Sequence, residues 1–266
     1  MRIRVIYYPF MGTSINTERL LLMTRLCYAP LGVDELAGMV QGESGPDDEA
    51  TGRFVRGLIA SGHLGALEHW HTSFAVEGYS RISSQQNDRH RLMKMLKEPG
   101  VYINAPQEAS PDISQLQQSQ RYVKEDDFHY IVPPTFQKHP EYLERFHRLQ
   151  AEIRSLQVAG LDLGIPAEDV RFALSNATET RFVITTNARQ LRHMFNLRCC
   201  ERAQWEIRDL FRELLATYKK IAPNIFCRAG ASCEERGYCP EGKMCCGRAP
   251  TLEEFQKAWK QRRREV

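Results

Sequence analysis

The run Arg89-His90-Arg91 is the densest group of side chains that could bind a ligand, and it closes the polar segment 80–91. Neighbouring side chains that carry or can gain positive charge repel one another unless an anion lies close to them. Arginine binds phosphate through two parallel hydrogen bonds, so a pyrophosphate or a nucleotide is the natural partner of this run. The alternative is a solvated turn without a ligand.

A second polar cluster lies in the segment 117–123, where Ser119, Arg121 and Tyr122 stand close together. A hydroxyl, a guanidinium and an aromatic ring in this order could hold a phosphate and a planar ring together. Ser119 lacks the G-x-S-x-G turn that exposes the nucleophile of many hydrolases. We therefore do not expect it to attack a substrate.

Histidines mark a third cluster, in the segment 61–70. His63 and the pair Glu68-His69 could suggest a metal, but the H-E-x-x-H spacing that places two ligands on one helix face is absent. His69 directly precedes Trp70, and a single histidine beside a tryptophan is more often a packed or stacking group than a metal ligand.

The fourth cluster is the segment NARQLRHMFNLR, residues 187–198, which we expect to be helical. Arg189 and His193 are four residues apart and share one helix face. Asn187 and Arg198 are about three turns apart and share another face. A helix with ligands on two faces is easier to build between subunits than within a monomer.

The last 40 residues contain five of the eight cysteines. Cys227, Cys233, Cys239 and Cys245 recur at intervals of six, and Cys246 follows directly. The C-x-x-C pairs of a typical zinc ribbon are missing, so these residues are weak candidates for a metal site. The open alternatives are a reduced and packed thiol cluster, a structural zinc site, and a redox or metal-cluster role.

The elements that must position these residues follow from hydrophobic periodicity and breakers. We predict strands at 2–9, 71–83 and 181–187, and a long irregular segment at 92–120. We predict helices at 18–36 (ending in a turn), 54–61, 140–160, from Pro166 onward, 187–198 and 201–221, and a polar loop at 42–50. This order favours the α+β class, a single mixed sheet with packed helices, plus a small Cys-rich C-terminal appendage.

Chain length and net charge further limit the classes of protein to which this sequence can belong. The 266 residues fall between one large domain and two small ones, and hydrophobic residues at 42% suffice for a core. The net charge of +3 is too small for a dedicated nucleic-acid binder, and RNA contact by the terminal KAWKQRRREV is only weakly supported. No signal peptide or membrane span is readable, so we expect a cytoplasmic protein without disulfides.

Taken together, the clusters resemble one family, the flavin-dependent thymidylate synthases (ThyX). The family signature is RHR, two residues, then S-x-N-E-x-S-x-R-Y; Arg89-His90-Arg91 matches its first half and Ser119-Gln120-Arg121-Tyr122 its end. The segments TRLCY, LEHW, NARQLRHMFNLR and AQWEIR are also similar to the family's and come in the same order. The similarity covers roughly residues 1–215.

The chain departs from this signature at several positions. The segment 92–113 has 22 residues, where the family usually has two. Leu116 stands at the signature asparagine, Gln117 at the signature glutamate, and Asp88 where an apolar residue is usual. The insertion bears on which nucleotide the protein accepts, and its conformation is not readable from the sequence.

The resemblance implies a ThyX-like catalytic domain at 1–222 and an appendage at 223–266. It implies a methyltransferase that moves a methylene group from methylenetetrahydrofolate to C5 of dUMP, with FAD giving the hydride and NADPH reducing the flavin. It also implies a homotetramer whose sites are shared between subunits. Two alternatives remain: a flavoprotein acting on another pyrimidine nucleotide, and a non-catalytic nucleotide- or RNA-binding relative.

The resemblance also implies a role for each matching residue. Arg198 would be catalytic by stabilising negative charge on the uracil ring, with Ser119 polarising that ring. His69 would stack near the flavin and the folate. The other residues that would hold FAD are Arg89, His90, Arg91, Gln117, Asn187, Arg189 and His193. The residues that would bind dUMP are Gln86, Ser119, Arg121, Arg171 and Arg198.

Overall fold

The structure is a computed structural model, and it describes residues 1–88, 113–122 and 127–262. The strands are β1 (Arg2–Tyr7), β2 (His71–Ser80), β3 (Ile113–Gln117) and β4 (Glu179–Asn187). The α-helices are α1 (Val33–Gln41), α2 (Asp48–Ala60), α3 (Arg81–Asp88), α4 (Pro140–Asp162), α5 (Ala167–Val170), α6 (Ala188–Arg198), α7 (Trp205–Ile221), α8 (Pro223–Phe226), α9 (Ser232–Arg236) and α10 (Leu252–Arg262). Short 3-10 helices lie at Thr17–Cys27, Leu64–His69, Pro134–Lys138, Arg171–Ala173 and Gly242–Met244.

The four strands form one sheet in the order β1-β2-β4-β3. Neighbouring strands run antiparallel: the Thr72 hydroxyl donates to the Tyr7 carbonyl at one end of β1, and the Met1 backbone lies against Gly78 at the other. Gly78 has φ of +72°, a conformation that glycine adopts without strain, and a Cβ there would approach Met1 to 2.9 Å. The α+β class with a single sheet and packed helices is confirmed, although the sheet is antiparallel rather than mixed.

The described residues divide into two compact units. Unit 1 contains residues 1–4, 74–88, 115–122 and 127–184, and unit 2 contains residues 5–73, 113–114 and 185–262. In unit 1, Tyr79 and Phe182 pack edge to face with ring centres 5.4 Å apart. The boundary at residue 222 stays a prediction, and within unit 2 the segment that follows it contacts α6.

Helix α7 shows why the strongly periodic segments fold as expected. Its buried residues recur every three or four positions, which places them on one face of the helix: Ile207, Leu210, Phe211, Leu214, Leu215 and Tyr218. The Gln204 side chain caps its N-terminus by accepting hydrogen bonds from the backbone N–H groups of Glu206 and Ile207. Trp70 packs against the same core, edge to face with Tyr218 and Phe226.

Several predicted elements differ from the structure. The strand predicted at 71–83 ends at Ser80, and the polar residues that follow form α3, whose buried side is itself polar and so hides the helical period. The irregular segment predicted at 92–120 contains strand β3; the rest of the insertion up to residue 112 lies outside the described residues. Helix α2 begins inside the predicted polar loop because Asp47 accepts a hydrogen bond from the Ala50 backbone N–H. The helix predicted from Pro166 is a single turn, α5.

Among the described residues, no helix has both the length and the apolar character needed to cross a membrane.

Candidate functional site

In unit 1, two of the predicted phosphate-binding arginines contact the same residue, Glu168. Arg121 forms an ion pair with Glu168, with 2.7 Å between Nε and Oε2. The Nε of Arg171 donates to the backbone carbonyl of the same Glu168 at 3.0 Å. The two arginines are fifty residues apart in the sequence, and both contact Glu168 of the short helix α5. Such a convergence of cations is suited to a phosphate group.

Ser119 lies beside this pair. Its Oγ accepts a hydrogen bond from the Arg121 backbone N–H at 3.2 Å, which fixes the turn that carries both side chains. The Arg121 guanidinium lies over the Tyr122 ring, 5.5 Å from its centre, and the ring is 81% exposed. An exposed aromatic face next to a cation can receive a planar ligand. The association of hydroxyl, guanidinium and ring predicted for this segment therefore exists in unit 1.

Gln117 is held in a network of hydroxyl groups and also lines a cavity of unit 1. Its Nε2 donates to Ser84 Oγ at 2.8 Å and to Thr180 Oγ1 at 3.0 Å. The Ser84 hydroxyl in turn donates to the Arg81 carbonyl at 2.8 Å, so it accepts from Gln117. The amide at this position thus ties β3 to α3 and β4, while Gln86 on α3 stays partly exposed.

Asn87 on α3 is a further candidate, and no sequence motif marks it. It is 1% exposed, and neither its side-chain nitrogen nor its oxygen has a hydrogen-bond partner among the described residues. Leaving a buried amide unpaired costs about 1–3 kcal/mol, so such a group is a candidate ligand contact. Arg89, His90 and Arg91, which follow it in the chain, lie outside the described residues.

Unit 2 assembles the second group of predicted residues at the start of α6. The backbone N–H of Ala188 donates to the Trp70 carbonyl at 2.8 Å, which joins this helix to the end of the 3-10 helix Leu64–His69. Arg189 forms an ion pair with Glu68, and His69 beside it is exposed. An exposed cation and an exposed imidazole are thereby placed on adjoining segments of unit 2, where both are accessible to a ligand.

The Asn187 side chain stabilises the N-terminus of helix α6. It is the N-cap of α6, and its Oδ1 accepts a hydrogen bond from the Gln190 backbone N–H at 2.9 Å. The side-chain amide is thereby oriented, and it is only 3% exposed. Arg198 is the last residue of the same helix and lines a cavity of about 250 Å³, together with Arg202 and Arg248. The predicted FAD and dUMP contacts of α6 thus lie at its opposite ends.

His193, one turn beyond Arg189, is half-buried, and this burial lowers its pKa below 6.5. Between pH 6.5 and that lower value, the unfolded chain binds the proton and the folded chain does not, so the protein loses stability as the pH falls through this window. We expect the melting temperature of the wild type to fall more steeply than that of His193→Gln between about pH 7.5 and about pH 5.5. Parallel curves for the two proteins in differential scanning fluorimetry would contradict this.

The cysteines that recur every six residues in the sequence do not all lie together in the structure. Cys227 is exposed, with its thiol donating to the Asn224 carbonyl, and it lines a different cavity from Cys233 and Cys239. Across residues 1–88, 113–122 and 127–262, no three His, Cys, Asp or Glu side chains converge closely enough to hold a metal ion. The geometry of the described residues therefore does not support the zinc alternative.

Known proteins resemble the chain over most of its length. Residues 13–224 match the family model described as thymidylate synthase complementing protein. A flavin-dependent thymidylate synthase of Geobacter sulfurreducens is 41% identical over 230 residues, covering 86% of this chain and 88% of that protein. Proteins of the same name from Clostridium tetani (37% identical, 87% and 88% covered) and Nitratidesulfovibrio vulgaris (35% identical, 85% and 87% covered) are also similar.

Proposed function

The chain belongs to the thymidylate synthase complementing protein family, and from this premise we propose that it catalyses the flavin-dependent conversion of dUMP to dTMP. The family named from the sequence motifs is confirmed, and with it the assignment as a methyltransferase and flavoprotein. The observation that carries the substrate assignment is the meeting of Arg121, Arg171 and Ser119 in unit 1.

For dUMP, we assign the phosphate to Arg121 and Arg171, with Ser119 and Gln86 as neighbouring polar contacts. The two guanidinium groups provide the bidentate donors that a phosphate dianion requires. Glu168 neutralises part of their charge in the free protein and must give up its ion pair with Arg121 when phosphate binds. Arg198 would face the uracil ring and stabilise the negative charge that develops there, and Ser119 would polarise the ring.

For FAD, the described residues of unit 2 offer a suitable set of donors. Arg189 and His69 are exposed, Asn187 is held rigid by its capping bond, and His193 is uncharged at neutral pH because burial lowers its pKa. We infer that these residues bind the flavin together with Arg89, His90 and Arg91. We also propose Gln117, whose Nε2 donates to Ser84 and Thr180, as a contact of the flavin.

The chemistry of the methyl group belongs to the bound groups: the one-carbon unit comes from methylenetetrahydrofolate and the hydride from FAD that NADPH has reduced. The chain supplies orientation, charge and exclusion of water. No cysteine is assigned a nucleophilic role, because Arg198 and Ser119 activate the ring without a covalent bond to the protein. We further propose a homotetramer with shared sites, a cytoplasmic location, and a catalytic domain at 1–222 with an appendage at 223–266.

The decisive experiment is tritium release from dUMP labelled at C5, run beside labelled UMP and dCMP. We expect release from dUMP that requires methylenetetrahydrofolate and NADPH, and a purified protein with the absorbance of oxidised flavin. Release from UMP or dCMP instead would show a flavoprotein for another pyrimidine nucleotide. A colourless protein that binds dUMP without releasing tritium, even after FAD is added, would indicate a non-catalytic relative.

Replacing Glu168 with glutamine tests the phosphate assignment. The change removes the carboxylate that competes for Arg121, and we expect the KM for dUMP to fall about twofold to fivefold, the size of a partly exposed ion pair. The turnover number should stay the same, and the difference should shrink as salt is added. Steady-state kinetics at two ionic strengths measure this effect. Glu144→Gln, a change in a carboxylate of helix α4 that pairs with Arg148, serves as the control.

A further inference from the structure

Helix α4 is the longest helix among the described residues, yet little of it is buried in the protein. Three of its 23 residues are buried, namely Gln150, Gln157 and Gly160, and two of these carry polar side chains. A helix of a globular protein usually buries a stripe of apolar residues against the core of its own domain. The interior of unit 1 therefore covers only a small part of the surface of α4.

Apolar residues form a stripe along the exposed side of this helix. Tyr142, Leu149 and Leu156 are seven residues apart, and Leu163, which directly follows the helix, continues the series. These four residues, the α4 stripe, are between 50% and 80% exposed. A spacing of seven places residues along one side of a helix, and it is the period at which two helices pack in a coiled coil. The α4 stripe is thus suited to a second helix.

The covered side of α4 lies elsewhere on its circumference. The Gln157 side-chain amide donates to the Val170 carbonyl at 2.7 Å, and Gln150 Oε1 accepts from the Ser175 hydroxyl at 2.9 Å. Each of these glutamines directly follows a residue of the α4 stripe, so it lies about 100° further round the helix axis. The contacts that hold α4 in unit 1 therefore leave the stripe itself exposed.

Two opposite charges border the α4 stripe. Arg145 and Glu152 lie one turn before and one turn after Leu149, on the same flank, and both are exposed. Neither has an ion-pair partner within the part of the chain that the structure describes. Arg148, by contrast, pairs with Glu144 at 3.8 Å. The flank of the stripe therefore presents one cation and one anion, seven residues apart, that are open to a partner.

We propose that α4 packs antiparallel against α4 of a second copy of this chain, across a two-fold axis at Leu149. In this arrangement Leu149 meets the partner's Leu149, and Tyr142 meets the partner's Leu156. The same axis places Arg145 opposite the partner's Glu152, and Glu152 opposite the partner's Arg145, so that two ion pairs form. An axis midway between Leu149 and Leu156 would instead bring two copies of Glu152 together, and like charges disfavour that register.

This contact rests on the homotetramer proposed above and names one of its surfaces. Sedimentation velocity of the full-length protein over a range of concentrations tests it. Leu149→Glu places two carboxylates at the two-fold axis, and we expect the assembly to separate into particles of half its mass, with association about tenfold or more weaker. Ala151→Glu is the matched control, because it adds the same charge to an exposed position on the opposite side of α4. It should leave the assembly intact.

Exchanging the two flanking charges tests the antiparallel register. Arg145→Glu turns both ion pairs into repulsion, and we expect association about tenfold weaker. Combining Arg145→Glu with Glu152→Arg exchanges the cation and the anion, and association should return to within about threefold of the wild type. Far-UV circular dichroism of each variant should show the helix content of the wild type, which separates a lost contact from a lost fold.

Three results would overturn this contact. One is an assembly that Leu149→Glu weakens no more than Ala151→Glu does. Another is an Arg145→Glu variant that associates as the wild type does, or whose loss the double variant fails to restore. The third is a wild type that sediments as a monomer at every concentration, which would also contradict the homotetramer. None of these measurements depends on turnover of dUMP, so failure of the contact and failure of the proposed reaction are separable.

Discussion

Arg198→Ala is expected to fold normally and to lose about 10²–10³-fold in turnover of dUMP to dTMP, the effect of deleting a charged group that stabilises a developing anion. Arg198 is the last residue of α6, so its truncation removes no interior turn of that helix. The helix keeps its Asn187 cap and the buried contacts of Arg192. The KM for dUMP should change less than the turnover number, because the charge on the ring grows toward the transition state.

Arg202→Ala is the matched control, since Arg202 lines the same cavity and carries the same charge but has no assigned contact with the ring. It should keep turnover within about threefold of the wild type. Steady-state assays of tritium release, with thermal melts of both variants, measure the comparison. Near-wild-type turnover of Arg198→Ala, or equal losses in the two variants, would remove Arg198 from the catalytic group.

The second large effect is expected on stability. Glu18 is fully buried, and its carboxylate accepts three hydrogen bonds. The donors are the Asn224 backbone N–H at 2.6 Å, the Asn224 side-chain amide at 2.6 Å and the Ile225 backbone N–H at 2.9 Å. Glu18→Ala leaves the buried Ile225 N–H and the two partly buried Asn224 donors without this acceptor, and we expect it to lower the free energy of unfolding by about 3 kcal/mol.

For a chain of this size, the loss corresponds to a fall in melting temperature of roughly 6 °C or more. Glu35→Ala, at an exposed position on α1, should shift the melting temperature by about 1 °C or less. Differential scanning calorimetry of the three proteins measures both changes. Equal melting temperatures for Glu18→Ala and the wild type would mean that other groups satisfy the three donors.

The parts of the fold that were predictable are those where one face is apolar and the ends carry clear signals. Helices α4 and α7 lie close to their predicted bounds because their apolar residues recur at helical spacing over many turns. Strand β3 and helix α3 were missed for the opposite reason. The strand has five residues with only Ile113 buried, and the buried side of the helix consists of polar side chains.

The sequence predicted which residues belong to the candidate site, but it did not predict how they are arranged in space. The motif order identified Arg121 and Arg171 as candidates, but no spacing rule places two arginines fifty positions apart against the same residue. Glu168, which both arginines contact, lies in no sequence motif that would mark it, because surface glutamates are common in any sequence. Asn87 was missed because only the three-dimensional structure shows that its buried amide lacks a partner among the described residues.

Glu168 competes with any anion that binds Arg121 in unit 1. Its carboxylate is an anion already paired with Arg121, so a phosphate that binds Arg121 as proposed must displace it. A phosphate dianion brings more negative charge and more acceptor atoms than a single carboxylate, whereas an uncharged nucleoside brings neither. Under the proposed phosphate assignment, deoxyuridine, which has the base and sugar of dUMP but no phosphate, gains no contact that offsets the Glu168 ion pair, and we expect it to bind more weakly than dUMP.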